Sequence, residues 1–187
     1  MIVVGVSKCT IRTTAFYFGL VSRRNVNRAG TRYNKRGVDQ NGNVANNVET
    51  EQLFFKSNES NSTLYTYVQT RGSIPLFWSQ KVDINYAPKP RLTNFEAAVS
   101  IQSTMPRCEY HSNGYGFFQK AAFKKHIDAQ QELYGPNVIV CLVNHHGSEG
   151  GLHDEYSKHM AELYHDSAHR YCQWHHVPYL NIINAMV

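Results

Sequence analysis

The chain has 187 residues, enough for one domain with a real core, and its 42% hydrophobic and 18% charged content excludes an intrinsically disordered polypeptide. The net charge of +5 is unevenly placed: eight of the nineteen Lys/Arg, and none of the fourteen Asp/Glu, fall in residues 1–38. Such asymmetry points to an anionic partner (nucleic acid, anionic lipid or phosphate) or else to a solvated basic face.

Residues 1–14 carry no clear period, and the chain reads as beginning inside a larger protein. Residues 15–21, AFYFGLV, are apolar and aromatic and predict a strand that turns polar at Ser22-Arg23-Arg24. Residues 31–38 and 44–55 flank Asn41-Gly42, the strongest short hairpin signal, because both residues tolerate positive φ. Residues 64–70, LYTYVQT, predict a further strand after a polar turn at 56–63. Together these make an antiparallel meander of three or four strands. Gly72 and Pro75 then break regular structure, and Ile74, Leu76, Phe77 and Trp78 form an apolar block that seals the sheet edge. Residues 81–116 read as a long loop. Residues 117–134 predict a helix stopped by Gly135-Pro136, and residues 137–143, NVIVCLV, a strand buried on both faces. Residues 147–151 predict a turn, and the spacing from Leu152 to Ala168 a second amphipathic helix. A meander followed by helix, strand and helix is an α/β arrangement of α+β character: a mixed sheet flanked by helices. The expected organisation is a single domain over 1–187, with a β-rich region at 15–80, the loop at 81–116 and helix-strand-helix at 117–187.

Cys9, Cys108, Cys141 and Cys172 include no Cys-x-x-Cys pair, which excludes a zinc ribbon or a dithiol redox motif and fits reduced thiols in the cytosol. Cys141, inside an apolar run, is expected to be buried. No apolar run reaches the ~18–20 residues of a membrane span, and residues 1–6 are too short for a signal-peptide core. The two Asn-x-Ser/Thr sites at Asn58 and Asn61 therefore mark only a polar loop. His165 and His169, with Glu162 and Cys172, have a helical spacing that could hold zinc, but they lack a matching distant ligand cluster, and partly exposed helix histidines are the plainer explanation.

The basic cluster comprises Arg23, Arg24, Arg28, Arg32, Lys35 and Arg36. Arginine offers a planar fork for phosphate oxygens. If Arg32 and Arg36 share a strand they face one way, and Glu49 and Glu51 share a face of the partner strand, so cross-strand Arg–Glu pairing, Arg36 to Glu49 or Glu51 above all, competes with phosphate contact. A nucleic-acid surface is disfavoured because the basic residues are not interleaved with stacking aromatics. A cysteine phosphatase needs Cys-x-x-x-x-x-Arg; the residues six after the four cysteines are Ala15, Gly114, Gly147 and Pro178. No Gly-rich phosphate loop and no Gly-x-Ser-x-Gly elbow is present, so no catalytic residue is assigned.

The order R-A-G-T-R-Y at residues 28–33, R-G-V-D at 36–39, G-N-V-A-N at 42–46, V-E-T-E-Q at 48–52 and V-Q-T-R-G-S-I-P-L-F-W-S-Q at 68–80 resembles the Sac-type phosphoinositide phosphatases, in the amino-terminal half of their catalytic region. Weaker likeness continues through Lys89-Pro90, residues 123–126, Gln130, Tyr134-Gly135 and residues 138–143. Asn25 and Asn47 depart from the family's Ser and Phe, residues 96–120 exceed its spacing, and YCQWHH at 171–176 replaces its Phe-Asp-Phe-His segment. The resemblance implies a partial Sac domain and hydrolysis of an inositol-ring phosphate, most like members acting on phosphatidylinositol 4-phosphate. The route is a phosphocysteine intermediate with no metal or other cofactor, and the nucleophile loop lies outside this chain. It implies a phosphoinositide lipid and an anionic membrane surface as partners, without nucleic acid, at the cytosolic face of endoplasmic reticulum, Golgi or endosomal membranes. The alternative is a non-catalytic module that binds anionic headgroups. On this basis Arg23, Arg24, Arg28, Arg32, Arg36 and Arg71 are the phosphate-binding candidates, and Gly30, Gly37, Asn46, Glu49, Glu51, Gly72, Pro75 and Trp78 form the structural motif.

Overall fold

The computed structural model describes residues 2–12, 14–31, 34–57, 62–81, 88–93, 114–164 and 172–176. Four antiparallel strands, β1 (Ile2–Ile11), β2 (Thr14–Arg24), β3 (Val48–Ser57) and β4 (Ser62–Arg71), form one sheet in chain order. β5 (Trp78–Gln80) pairs antiparallel with β6 (Pro90–Leu92), inside the stretch predicted as a long loop. Helix α1 (Gly114–Tyr134) leads into β7 (Asn137–Cys141), a 3-10 turn (Gly147–Glu149), helix α2 (Gly150–Tyr164) and β8 (Cys172–His176), which runs parallel to β7. The antiparallel and parallel pairings thus occupy separate sheets within the expected α+β arrangement.

The meander forms where the sequence is rich in β-branched and aromatic residues. Its register, Val4 opposite Val21, Val21 opposite Glu51 and Glu51 opposite Val68, sets alternate residues on two faces. β1 was not expected. Ile2, Val4, Val6 and Ile11 are all largely exposed, so this strand lacks the one-sided burial that produces a period of two.

The Asn41-Gly42 hairpin is also corrected. Only Val38 and Val44 pair across it, and residues 31–38 form no strand among those described. Val38 N donates to Leu76 O and Ser73 N to Ala45 O, so the loop docks on the Leu76 segment, while its own cross-bonds are Asp39 N to Asn43 O and Ala45 N to Gly37 O. Gly37 (φ +68) and Asn46 (φ +58) adopt left-handed backbone that interrupts strand geometry. A Cβ on Gly37 would lie 2.3 Å from Leu76 O, so the close docking itself requires glycine. Asp39 closes the tip, accepting from Asn41 N and Asn43 N, both at 2.9 Å.

The main core packs Leu76, Phe123, Ile127, Leu152, Tyr156, Met160 and Tyr164, with Ile74 and Trp78 against it. A smaller cluster joins Val38, Val44, Phe77 and Ala122. The apolar block after β4 is therefore the keel that seats loop and helices together, not a cap on a sheet edge. Gln119, fully buried on α1, accepts from Phe77 N at 2.9 Å and satisfies a backbone donor in that core. Gly135 (φ +74) ends α1 in the expected way, its N–H donating to Gln131 O. β7 is not buried on both faces: Val138 and Val140 are exposed, while Cys141 is buried as expected. His165, His169, Ala168, Arg32 and residues 177–187 lie outside the described residues.

Candidate functional site

Arg23 and Arg24 are consecutive on β2 and therefore point to opposite faces. Arg23 donates to Glu49 at 2.7 Å and to Glu51 at 3.0 Å, the two carboxylates being on one face of β3 as their spacing predicts. Its guanidinium is held above its ordinary pKa by the hydrogen bond to Glu51 first and that to Glu49 second. The Tyr134 hydroxyl donates to Glu49 at 2.5 Å, and burial together with that carboxylate pushes the phenol up to about 12. Thr70 Oγ1 donates to Gln130 Oε1 at 3.0 Å. These two bonds tie the C-terminal half of α1 to the sheet.

The expected Arg36–Glu pair is replaced by a different one. Arg36 Nε donates to Gln80 Oε1 at 2.8 Å and its guanidinium lies 5.3 Å from the Trp78 ring centre, since residue 36 sits in a loop that faces β5, away from β3. Arg24 donates to Gly30 O and to Asn46 Oδ1. Arg28 donates to Gly37 O at 3.1 Å and Arg36 O at 2.8 Å, and burial lowers its pKa, with Asp39 opposing. Asn46 completes the hub by accepting from Gly30 N and donating to Lys35 O. Arg24, Arg28, Gly30, Gly37 and Asn46 are thus brought together as the internal scaffold of one loop.

Arg71 stands apart. It is exposed at the end of β4, opposite Val48, and its guanidinium has no hydrogen-bond or ion-pair partner among the described residues. It lines a cleft of about 870 Å³ between β4 and the α1–β7 unit. The segment Val68 to Pro75 lines this cleft, with Gly72 and Pro75 in it, facing His126, Gln130 and Tyr134. Those three belong to the weaker family likeness in the sequence but are not among its site candidates, although their spacing of four on a helix places them on one face. His126 Nδ1 lies 3.0 Å from Gly42 O, and burial lowers its pKa, opposed by that bond, which favours neutral imidazole donating to the carbonyl. Cys141 also lines the cleft, but burial raises its thiol pKa, the opposite of what an activated nucleophile needs. Among the described residues, no group of three or more His, Cys, Asp or Glu could hold a metal ion. Arg71 is thus the described candidate arginine placed at this cleft, which holds no activated thiolate among the described groups.

Residues 2–177 match the family model described as SacI homology domain. The chain is 37% identical over 160 residues to the phosphatidylinositol-3-phosphatase SAC1-B of Danio rerio, covering 86% of this chain and 23% of that protein. It is 35% identical over 182 residues to the phosphatidylinositol-3-phosphatase SAC1 of Saccharomyces cerevisiae, covering 91% and 26%. It is 43% identical over 143 residues to the phosphatidylinositide phosphatase SAC2 of Homo sapiens, covering 76% and 10%. The chain spans about a quarter or less of the length of these relatives. The match over residues 2–177, nearly the whole chain, places this chain in the SacI homology domain family.

Proposed function

We propose that this chain is the amino-terminal part of a phosphoinositide phosphatase that hydrolyses an inositol-ring phosphate, phosphatidylinositol 4-phosphate in the first instance. The observation that carries this is the family match over residues 2–177, joined to relatives whose names specify phosphatidylinositol or phosphatidylinositide phosphatases. The names of the SAC1 relatives specify the 3-phosphatase, so both isomers belong in any assay. The reaction runs through a cysteine nucleophile in a Cys-x-x-x-x-x-Arg loop outside this chain, because none of the four cysteines here has an Arg six residues on. The partners are a phosphoinositide lipid and an anionic membrane surface, not nucleic acid, at the cytosolic face of endoplasmic reticulum, Golgi or endosomal membranes.

In this reading Arg71 makes the headgroup contact at the cleft, Arg32 is a further phosphate contact, and Arg23, Arg24, Arg28 and Arg36 hold the structure that presents them. Support for dividing the arginines this way comes from their partners: Glu49 and Glu51 for Arg23, loop oxygens for Arg24 and Arg28, and Gln80 for Arg36. A second reading, a non-catalytic module for anionic headgroups, is favoured by the buried, unactivated Cys141. Sequencing the full transcript separates the two. A Cys-x-x-x-x-x-Arg loop encoded downstream is the expected result; a transcript without one leaves only the binding module.

A further inference from the structure

We propose that the four-stranded sheet docks on an anionic lipid surface by the end that carries the β1–β2 turn. The registers Ile11 opposite Thr14 and Ser57 opposite Ser62 place the β1-to-β2 and β3-to-β4 connections at this same end. Lys8, on β1, and Arg12, in the turn, are exposed there, and Lys56 lies on β3 nearby. No acidic side chain is found at this end among the described residues; Glu49 and Glu51 lie at the other end, bound by Arg23, and Glu59 is outside the described residues.

Between these cations the sheet exposes large apolar groups on both of its faces. One row, Lys8, Tyr17, Phe55 and Leu64, runs across all four strands on one face, and Leu64 is 59% exposed. On the opposite face Tyr65 is 60% and Ile11 65% exposed. At this end exposed apolar groups lie beside Lys8 and Arg12 with no acidic side chain among the described residues, which suits a medium that is both anionic and apolar. An anionic bilayer interface is such a medium, taking tyrosine and aliphatic groups at headgroup depth while long basic side chains reach lipid phosphates. The same distribution explains where the uneven charge goes: Arg23, Arg24 and Arg28 are engaged internally, and Lys8 and Arg12 are left for the membrane. The proposal rests on the phosphoinositide reading only for the setting in which such a surface is met.

The test is sedimentation of the purified chain with two sets of vesicles of equal charge, phosphatidylcholine with phosphatidylserine and phosphatidylcholine with phosphatidylinositol 4-phosphate. Wild-type protein should bind both, more weakly as salt rises. The pair K8E and R12E should weaken binding to both by about thirtyfold or more, the factor for two basic side chains near an anionic surface. Leu64→Ser with Tyr65→Ser should weaken it with the charge unchanged. All four positions are exposed, and an unchanged melting temperature verifies that each variant is folded. Equal binding to the two vesicle sets speaks against headgroup recognition at the cleft and leaves the tip supported. Variants that bind like wild type, wild type that ignores phosphatidylserine vesicles, or a tip that alters only the mass of the protein in light scattering would each overturn the proposal, the last because it identifies a second copy as the occupant.

Discussion

Arg28 and Arg71 carry the same charge and opposite duties. Arg28 supplies two loop carbonyls from a half-buried position, so Arg28→Ala removes the side-chain donor of Arg36 O and leaves Gly37 O with the Ala45 N–H alone. The expected cost is about 1–3 kcal/mol in chemical denaturation. Arg71→Ala, at an exposed site, should change stability by less than about 0.5 kcal/mol and weaken binding to phosphoinositide vesicles. If instead Arg28→Ala is thermally silent and abolishes vesicle binding, the division of the arginines is wrong. Gly37→Ala tests the docking of the loop in another way. The added methyl meets Leu76 O at 2.3 Å and the backbone is left-handed, so a loss of at least about 2 kcal/mol is expected, read from the same denaturation curves. The motif pattern marked every one of these positions. It did not distinguish a guanidinium facing its own backbone from one facing a ligand, because that depends on where residues 36 and 71 lie after the loop docks on Leu76.

At the scale of elements, β2, β3, β4, both helices and β7 were legible because each carries β-branched runs, a helical apolar face or a glycine stop. β1 was not, since a strand exposed on both faces has no hydrophobic alternation to read. The 31–38 arm forms no strand among the described residues because Asn-Gly signals a turn without fixing how far its flanks pair; here a single bridge, Val38 to Val44, gives way to docking on the Leu76 segment. The packing of α2 on α1 makes a further prediction. His159 of α2 is 2% exposed against Phe123 of α1, its Nε2 is 3.3 Å from Glu155 Oε1, and neither ring nitrogen has a hydrogen-bond partner. Burial lowers its pKa, with Glu155 and Glu162 opposing and Lys158 and Lys120 assisting. Burial lowers His126 as well. The unfolded chain then binds these protons more readily than the folded one. Stability is complete above the ordinary histidine value of 6.5, falls as pH drops below it, and levels off below the depressed folded values. Melting temperatures taken from pH 7.5 to 5 should therefore fall, and His159→Phe should flatten that limb and gain roughly 1 kcal/mol at neutral pH. A limb unaltered by His159→Phe would assign the acid sensitivity elsewhere.

On the reading proposed above, the sheet, the loop hub and the cleft present an anionic lipid to a nucleophile that lies outside this chain. Binding ground state and transition state alike does not speed the chemical step. No helix among the described residues is long and apolar enough to cross a membrane. The most direct measurement is phosphate release by the purified chain from vesicles bearing phosphatidylinositol 4-phosphate or 3-phosphate, read by malachite green. The account predicts that vesicles are bound and that no phosphate appears above a heat-killed control. Turnover of either isomer that disappears when Cys9, Cys108, Cys141 or Cys172 is replaced by serine would contradict it, because the nucleophile would then lie within this chain.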